Sequence, residues 1–476
     1  MFRKKLILLF ALLSGYNVVN AQLNATLYHM TDLPLNHILN PAFQPRNGNV
    51  YAGFPGLSSL YLGADIVSKH LTFGNIYGDK RDIPKVINSM EQYGLGTVNF
   101  DYRLIDVGVY IKDIFFTLGV SAKGNADISI SRDFAELTWY GNAHPNILGR
   151  TLDFSGTDVS ISSYAEISLG FSKELKKDAF TFGGKLKFLQ GIAHVDAYLD
   201  KGSSLRTDPY TRIIDLIINP NIDISGIPFT IPSGNFTIND MNISFDDYKF
   251  KLVGSGMGID LGLVWKPEAI QELTASVSVI NLGYTRWKGG YTEPAIYNNK
   301  YTFYGFDLED KNFFDALVDS IKKVIEINGK YTNFSKGLNP TIYLGGNYEL
   351  HKFLNVGALL VMQTGKYKTI PLFAVSANTQ RLPVNISISA SYYSKPNLGI
   401  GLLFGKKNFQ FHVTTDNILV LNYNLAQSAS IRLGLNFLFG KSKEHKDNLS
   451  KSARTFLNAD KPREVSKTDG LIGVKK

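Results

Sequence analysis

Asp101, Arg103, Glu166, Lys185, Lys187, Asp260 and Arg432 are charged residues that fall within stretches of alternating apolar and polar character. They are the first candidates for chemistry. Charges facing the inside of a pore set its selectivity, whereas charges that pair with one another fill it, and both readings stand at this point. Other chemistry finds little support. The eight histidines (29, 37, 70, 144, 194, 351, 412 and 445) form no HxH, HExxH or HxxE pair. With no cysteine in the chain, there is also no thiolate metal set, thiol nucleophile or disulfide framework. Gly440-Lys441-Ser442 lacks the leading glycine of a P-loop, since Leu435 stands there, and Gly183-Gly184-Lys185 lies inside an alternating stretch. No GxSxG elbow falls where a strand would turn into a helix. No catalytic residue, metal or cofactor is expected, and no enzymatic activity.

The elements that carry these charges have a period of two. In Ala429–Phe439 one face is Ala429, Ile431, Leu433, Leu435, Phe437 and Phe439, and the other is Ser430, Arg432, Gly434 and Asn436. Val384, Ile386, Ile388, Ala390 and Tyr392 likewise oppose Asn385, Ser387, Ser389 and Ser391. Such alternation marks strands with one apolar and one polar face. Fourteen are predicted, over 57–67, 97–111, 114–123, 150–172, 179–199, 247–266, 272–288, 340–350, 353–364, 369–378, 382–393, 397–405, 408–414 and 428–439.

A soluble sandwich alternates too, so the connections decide. The early odd-numbered connections (68–96, 124–149, 200–246 and 289–339) are each a few dozen residues long, while the even-numbered ones are tight turns carrying or following Lys or Arg. Long loops on one side and short turns on the other describe an all-β, transmembrane antiparallel barrel of about 14 strands, apolar towards lipid and polar towards the lumen. The 25 tyrosines and 31 phenylalanines suit its interfacial girdles. Helical spacing within the long loops (Phe313, Phe314, Leu317, Ile321, Val324 and Ile325, and a shorter run from Ile83 with Asp82 as N-cap) predicts short extracellular helices.

The ends point the same way. Arg3, Lys4 and Lys5 precede the apolar Leu6–Leu13 and the small-residue junction Val19-Asn20-Ala21, which predicts a cleaved export signal over 1–21 and an outer-membrane destination. Those three basic residues, with a tail of ten basic against five acidic residues over 441–476, leave only about +1 of the net +9 for 22–440. No nucleic-acid partner is expected from so neutral a body. The tail itself predicts a disordered periplasmic extension. Between signal and barrel (57–440) lies 22–56, whose "HILNPAFQPRNGNVYAGFPG" is too apolar for a linker and too rich in proline for a strand. Proline fixes φ without donating to a ladder, so this segment is expected to hold a set shape inside the barrel as a hatch.

"LNPAF" (Leu39–Phe43) ahead of the first strand resembles the Asn-Pro-Ala segment of the long-chain fatty-acid transporter-like barrels, and of Bacteroidetes outer-membrane proteins that include ones linked to type IX secretion. "SVINLGYTRWKGG" (Ser278–Gly290) is similar to a strand of the same group, and the resemblance is nearest to the DUF5723 type. It implies that Asn40, Pro41, Ala42 and Phe43 are hatch residues and that hydrophobic ligand leaves sideways through a strand kink. No kinked strand is identifiable in the sequence. Two functions follow. One is a passive channel for hydrophobic or amphipathic small molecules, gated by the hatch. The other is a non-transporting barrel that serves as scaffold or attachment subunit for a periplasmic or secretion-system partner. Outer-membrane lipid is the expected surroundings of either.

Overall fold

The computed structural model describes residues 24–440 apart from 47, 68–71, 78–81, 177–178, 228, 231–233, 238–241, 244–250, 294–299, 304–325, 365–369, 393–394, 406–407 and 423. The predicted export signal, the predicted helix over 313–325 and the predicted disordered tail lie outside the described residues.

Fourteen strands form the wall. They are β1 (Val50–Gly53 and Ser59–Val67), β2 (Tyr93–Ile111), β3 (Ile114–Ser131), β4 (Asp158–Lys176), β5 (Phe180–Leu199), β6 (Pro220–Ser225 and Gly254–Trp265) and β7 (Leu273–Glu293). After them come β8 (Glu326–Gly337 and Thr341–His351), β9 (Leu354–Gln363), β10 (Ile370–Thr379), β11 (Val384–Tyr392), β12 (Pro396–Phe404), β13 (Asn408–Thr415) and β14 (Ser428–Phe439). Each strand pairs antiparallel with the next, and β14 returns to both halves of β1, so the sheet closes on itself. Closure leaves no row of unpaired backbone groups, which is the condition for spanning a bilayer with strands.

Burial decides between barrel and sandwich. Along β11, Ile386 and Ile388 are exposed on the outside, while Asn385, Ser387 and Ser389 are buried within. A soluble sheet buries the opposite set. The same inversion runs round the wall, with Val98, Ile128, Leu169, Leu186, Phe373 and Val375 outward and exposed. At the tight-turn end, Phe180 stacks on Trp265, Phe437 on Phe439, and Lys352 sits 4.8 Å over the Phe353 ring. This is the aromatic girdle and basic rim of a headgroup interface.

The wall is taller on one side than the sequence pattern suggests. β3 runs on to Ser131, β7 to Glu293, and Glu326–Gly337 of β8 pairs with β7 where a loop over 289–339 is expected. Above the bilayer the outer face need not be apolar, so the two-residue period fades there although the hydrogen-bond ladder continues. On this rim stands a separate four-stranded sheet of Thr151–Asp153, Ser204–Thr207, Ile214–Ile217 and Lys300–Phe303. Helix Arg132–Tyr140 packs with it around Leu137, Leu152, Leu205 and Leu216. The predicted short helix also forms, as Ile83–Ser89, with the Asp82 carboxylate accepting from the Lys85 N–H at 3.0 Å.

Two irregularities of the wall bear on the lumen. The first is a correction: β1 starts at Val50, and Val50–Gly53 pairs with both β14 and β2, so residues 50–53 belong to the wall and not to a hatch over 22–56. Pro55 and Gly56 hide the alternation there, because β1 bulges outwards over Phe54–Ser58. Phe54 N–H still donates to Leu435 and Gly56 N–H to Leu104, so the wall stays closed across it. The second lies in the Asn281-Leu282-Gly283 stretch. Asn281 adopts φ +62°, the β6–β7 register shifts between Ile259 and Leu261, and the Asn281 N–H is taken up by the Asp260 carboxylate at 2.7 Å. Asparagine tolerates this left-handed conformation better than other non-glycine residues.

Candidate functional site: the lumen and its inner segment

Residues 24–46 lie within the barrel. A short helix (Ala25–Tyr28) and a 3-10 turn (Pro34–Ile38) have all their residues buried. Asn40, Pro41 and Ala42 are buried as well, and Phe43 is half-buried. The Asn-Pro-Ala sequence has a local reason. The Asn40 side chain accepts from the Ala42 N–H at 2.9 Å, and the Phe43 N–H donates back to the Asn40 carbonyl at 3.0 Å. Asparagine before a proline thus ties a turn that needs no sheet partner. The turn lies against β5 and β6, where side chains would be in the way. A Cβ on Gly183 would collide with the Pro41 carbonyl, and one on Gly262 with the Asn40 side chain.

From there the inner segment reaches round the lumen. Ser172 (β4) donates to the Ala42 carbonyl at 3.1 Å and Ser278 (β7) to the Leu39 carbonyl at 2.6 Å. Tyr28 stacks on Tyr343 (β8) at 5.4 Å, meets Phe43 edge-on at 5.2 Å, and shares a hydrogen bond with Ser276 (β7). His29 pairs with Ser376 (β10) at 3.1 Å, Thr26 with Ser389 (β11) at 2.8 Å, and Gln410 (β13) donates to the Asp32 carbonyl at 3.1 Å. Burial pulls the His29 imidazole down to about 4, so it sits there neutral. The small inward residues of β10–β13 therefore act as the seat of this segment.

All seven inward charges of the sequence analysis lie in the same lumen, gathered into three groups. Arg103 stands 3.5 Å from Asp106, which also accepts from His37 of the inner segment at 3.0 Å and from Tyr51 at 2.8 Å. Lys185 donates to the other face of His37, to Nδ1 and to the carbonyl, at 3.2 Å each. Lys187 joins Asp260 at 2.7 Å and Glu166 at 3.9 Å, and Glu166 takes Lys123 at 2.8 Å. Arg432 faces Asp101 at 3.7 Å, donates to Asn24 at 3.2 Å and to Ser59 at 2.8 Å, and lies over the Tyr61 ring. Each of the seven thus has an opposite charge or the inner segment as neighbour. His37, Asp106, Lys123 and Tyr51 were missed by sequence reasoning. His37 carried no motif, and Asp106 lies one residue beyond the register shift at Arg103/Ile105, which breaks the alternation.

Above the inner segment, towards the long-loop end, opens a cavity of about 380 Å³. Its lining includes Asn99, Lys123, Asp127, Ser162, Tyr164, His194, Trp287 and Lys336. His194 stacks on Trp287 at 5.1 Å and shares a 2.6 Å hydrogen bond with Ser162. Among the described residues no group of three or more His, Asp or Glu is placed to hold a metal ion.

The sequence profile of a family of unknown function, DUF5723, matches residues 41–416. The chain belongs to that family. The match begins at Pro41, within the turn described above, and runs through β13, so the DUF5723 region takes in thirteen wall strands and the end of the inner segment. No curated protein matches the sequence. Solved structures with a similar course include a FadL homologue of Pseudomonas aeruginosa, at 12% identity and a TM-score of 0.40, covering 86% of this chain and 94% of that one. The toluene transporter TbuX of Ralstonia pickettii gives 11%, 0.40, 86% and 94%, and the toluene transporter TodX of P. putida gives 10%, 0.37, 85% and 92%. This DUF5723 chain is a closed antiparallel β-barrel of fourteen wall strands.

Proposed function

We propose that the chain is a passive outer-membrane channel for small hydrophobic or amphipathic molecules, held shut by residues 24–46. The observation that carries this reading is the stacking of two features along one axis. A cavity faces the long-loop side, and directly below it a segment that belongs to no strand occupies the lumen and bonds to the wall on every side. Many of those bonds join hydroxyls and amides of modest strength, the kind that a solute or a partner can exchange for water. Release of the segment would leave a lumen lined by Ser, Asn and Gly on β9–β13 and by the charged groups on β2–β6. The bulge at Phe54–Ser58 is bonded on both sides, so after release of the segment the passage would run along the barrel axis.

The test is deletion of residues 24–46, stopping short of Val50 so that β1 keeps its pairing. The deletion variant is reconstituted in planar bilayers and in solute-loaded liposomes. Raised conductance and raised flux of a small amphipathic solute are expected; a variant that assembles yet conducts no more than the parent overturns the reading.

A second reading, a barrel that serves as an attachment subunit, draws on the rim sheet with its own apolar core around Leu152, Leu205 and Leu216. It predicts that a stable partner copurifies with the intact chain and is lost when the Arg206–Arg212 turn is shortened, with no change in conductance on removing residues 24–46.

A further inference from the structure

The cavity at the long-loop end of the lumen presents two kinds of polar group, and the charged kind is engaged. Lys336 bridges Asp196 and Asp223 at 2.7 Å each, and Lys123 bonds Glu166 at 2.8 Å. Asp127 accepts from Asn125 at 2.9 Å, and Asp158 is engaged as well. A charged occupant would have to compete with these pairings.

The neutral hydroxyls differ. Ser129 (β3) and Thr285 (β7) are each 3% exposed, and Ser160 and Tyr164 (β4) line the cavity with them. Among the described residues, none of these four hydroxyls has a hydrogen-bond partner. Buried hydroxyls without partners point to a polar group missing from the site. A hydroxyl both donates and accepts, so four of them on three strands match a ligand that itself carries several hydroxyls. A purely apolar occupant would leave them unpaired, and a site built to hydrogen-bond hydroxyls discriminates strongly against such an analogue.

The apolar part of the lining is fixed in place. Trp287 (β7) stacks on His194 at 5.1 Å, and its ring lies over Gly191 (β5) and Gly254 (β6), where a Cβ on either would strike it. Leu95 (β2) and Leu338, between the halves of β8, add to this lining. Small-molecule sites combine apolar walls with a few placed polar groups, and about 380 Å³ falls within their range of roughly 300–1,000 Å³.

We infer that the outer half of the lumen binds a neutral polyhydroxylated solute, a sugar or glycoside. Its hydroxyls pair with Ser129, Ser160, Tyr164 and Thr285, and its apolar part lies against Trp287 and Leu338. Binding requires only the closed wall; that the same solute passes onward rests on the channel reading above.

The test uses the full mature chain in a detergent without a sugar headgroup, with the detergent alone as blank. Phenyl β-glucoside, 2-phenoxytetrahydropyran and phenyl β-glucuronide share one skeleton; the second lacks the hydroxyls and the third adds a carboxylate. Each is titrated and followed by NMR of the probe. Saturable glucoside binding is expected, at least tenfold tighter than that of either other probe. The double variant Tyr164→Phe/Thr285→Val is expected to bind the glucoside at least tenfold more weakly while keeping the heat-modifiable migration of a folded barrel. No saturable glucoside binding, or equal binding of either other probe, overturns the inference even if the variant does not assemble. An assembled variant that binds the glucoside as the parent does overturns it too. Glucoside binding without increased flux from the 24–46 deletion keeps this site and discards the channel, and increased flux without glucoside binding does the reverse.

Discussion

His37 of the inner segment donates from Nε2 to Asp106 of β2 at 3.0 Å while Lys185 of β5 occupies its Nδ1 at 3.2 Å, so a neutral imidazole joins the segment to both flanks of the tall wall. Both residues of the pair are buried. The bond therefore fixes the depth of the segment as well as its presence.

Acidification should loosen this contact. Burial pushes His37 below its ordinary value near 6.5, against the pull of Asp106 and with help from Lys185 and Arg103. The released imidazole therefore takes up more protons than the docked one. Docking is then at full strength above about pH 6.5 and weakens as the pH falls below it. The chain has no cysteine, so a single Thr26→Cys variant gives a clean report of accessibility to a thiol reagent. Labelling should rise between pH 7 and pH 5, and His37→Gln should label fast at both; labelling that stays flat in the parent contradicts the linkage.

Gly183 and Gly262 should be intolerant of larger residues for a reason unrelated to strand formation. Gly183→Val would drive side-chain atoms into the Pro41 carbonyl, and Gly262→Val into Asn40. Overpacking of this kind costs about 1–3 kcal/mol. Here the cheapest relief is displacement of the segment, since the wall is tied on both sides. Each variant should assemble normally and show higher bilayer conductance than the parent. Conductance at the parental level with an assembled barrel would mean that the segment is held elsewhere.

Adjacent residues of β11 should respond in opposite ways. Ile388 is 51% exposed on the outer face, so Ile388→Lys places a charge in lipid at a cost of about 2–4 kcal/mol near the midplane. Ser389 faces inwards onto Thr26, so Ser389→Ala removes one hydroxyl bond worth about 1 kcal/mol and leaves the wall intact. Folding into lipid vesicles at increasing urea reads both. Equal midpoints for the two variants would place β11 with its faces reversed.

What the sequence determined is local. Alternation over each run of seven or more residues assigns a strand and its lipid face without reference to any other strand, and the fourteen predicted runs correspond to wall strands largely on that ground. Asn40 and Pro41 likewise announce a turn, because the Asx bond spans two residues. Tertiary structure decided everything that depends on register between distant strands. The extension of β7 and β8 above the bilayer leaves no period because both faces are wetted there. The bulge at Phe54–Ser58 interrupts the pattern of a strand whose partners, β2 and β14, lie at opposite ends of the wall sequence. Arg432 finds Asn24 across almost the whole chain, and Asp127, Asp196 and Asp223 share a level only because three ladders align them. A charge on an inward face could be read from the period of two; which charge it meets could not, since a one-residue slip in any of the intervening pairings would change the partner.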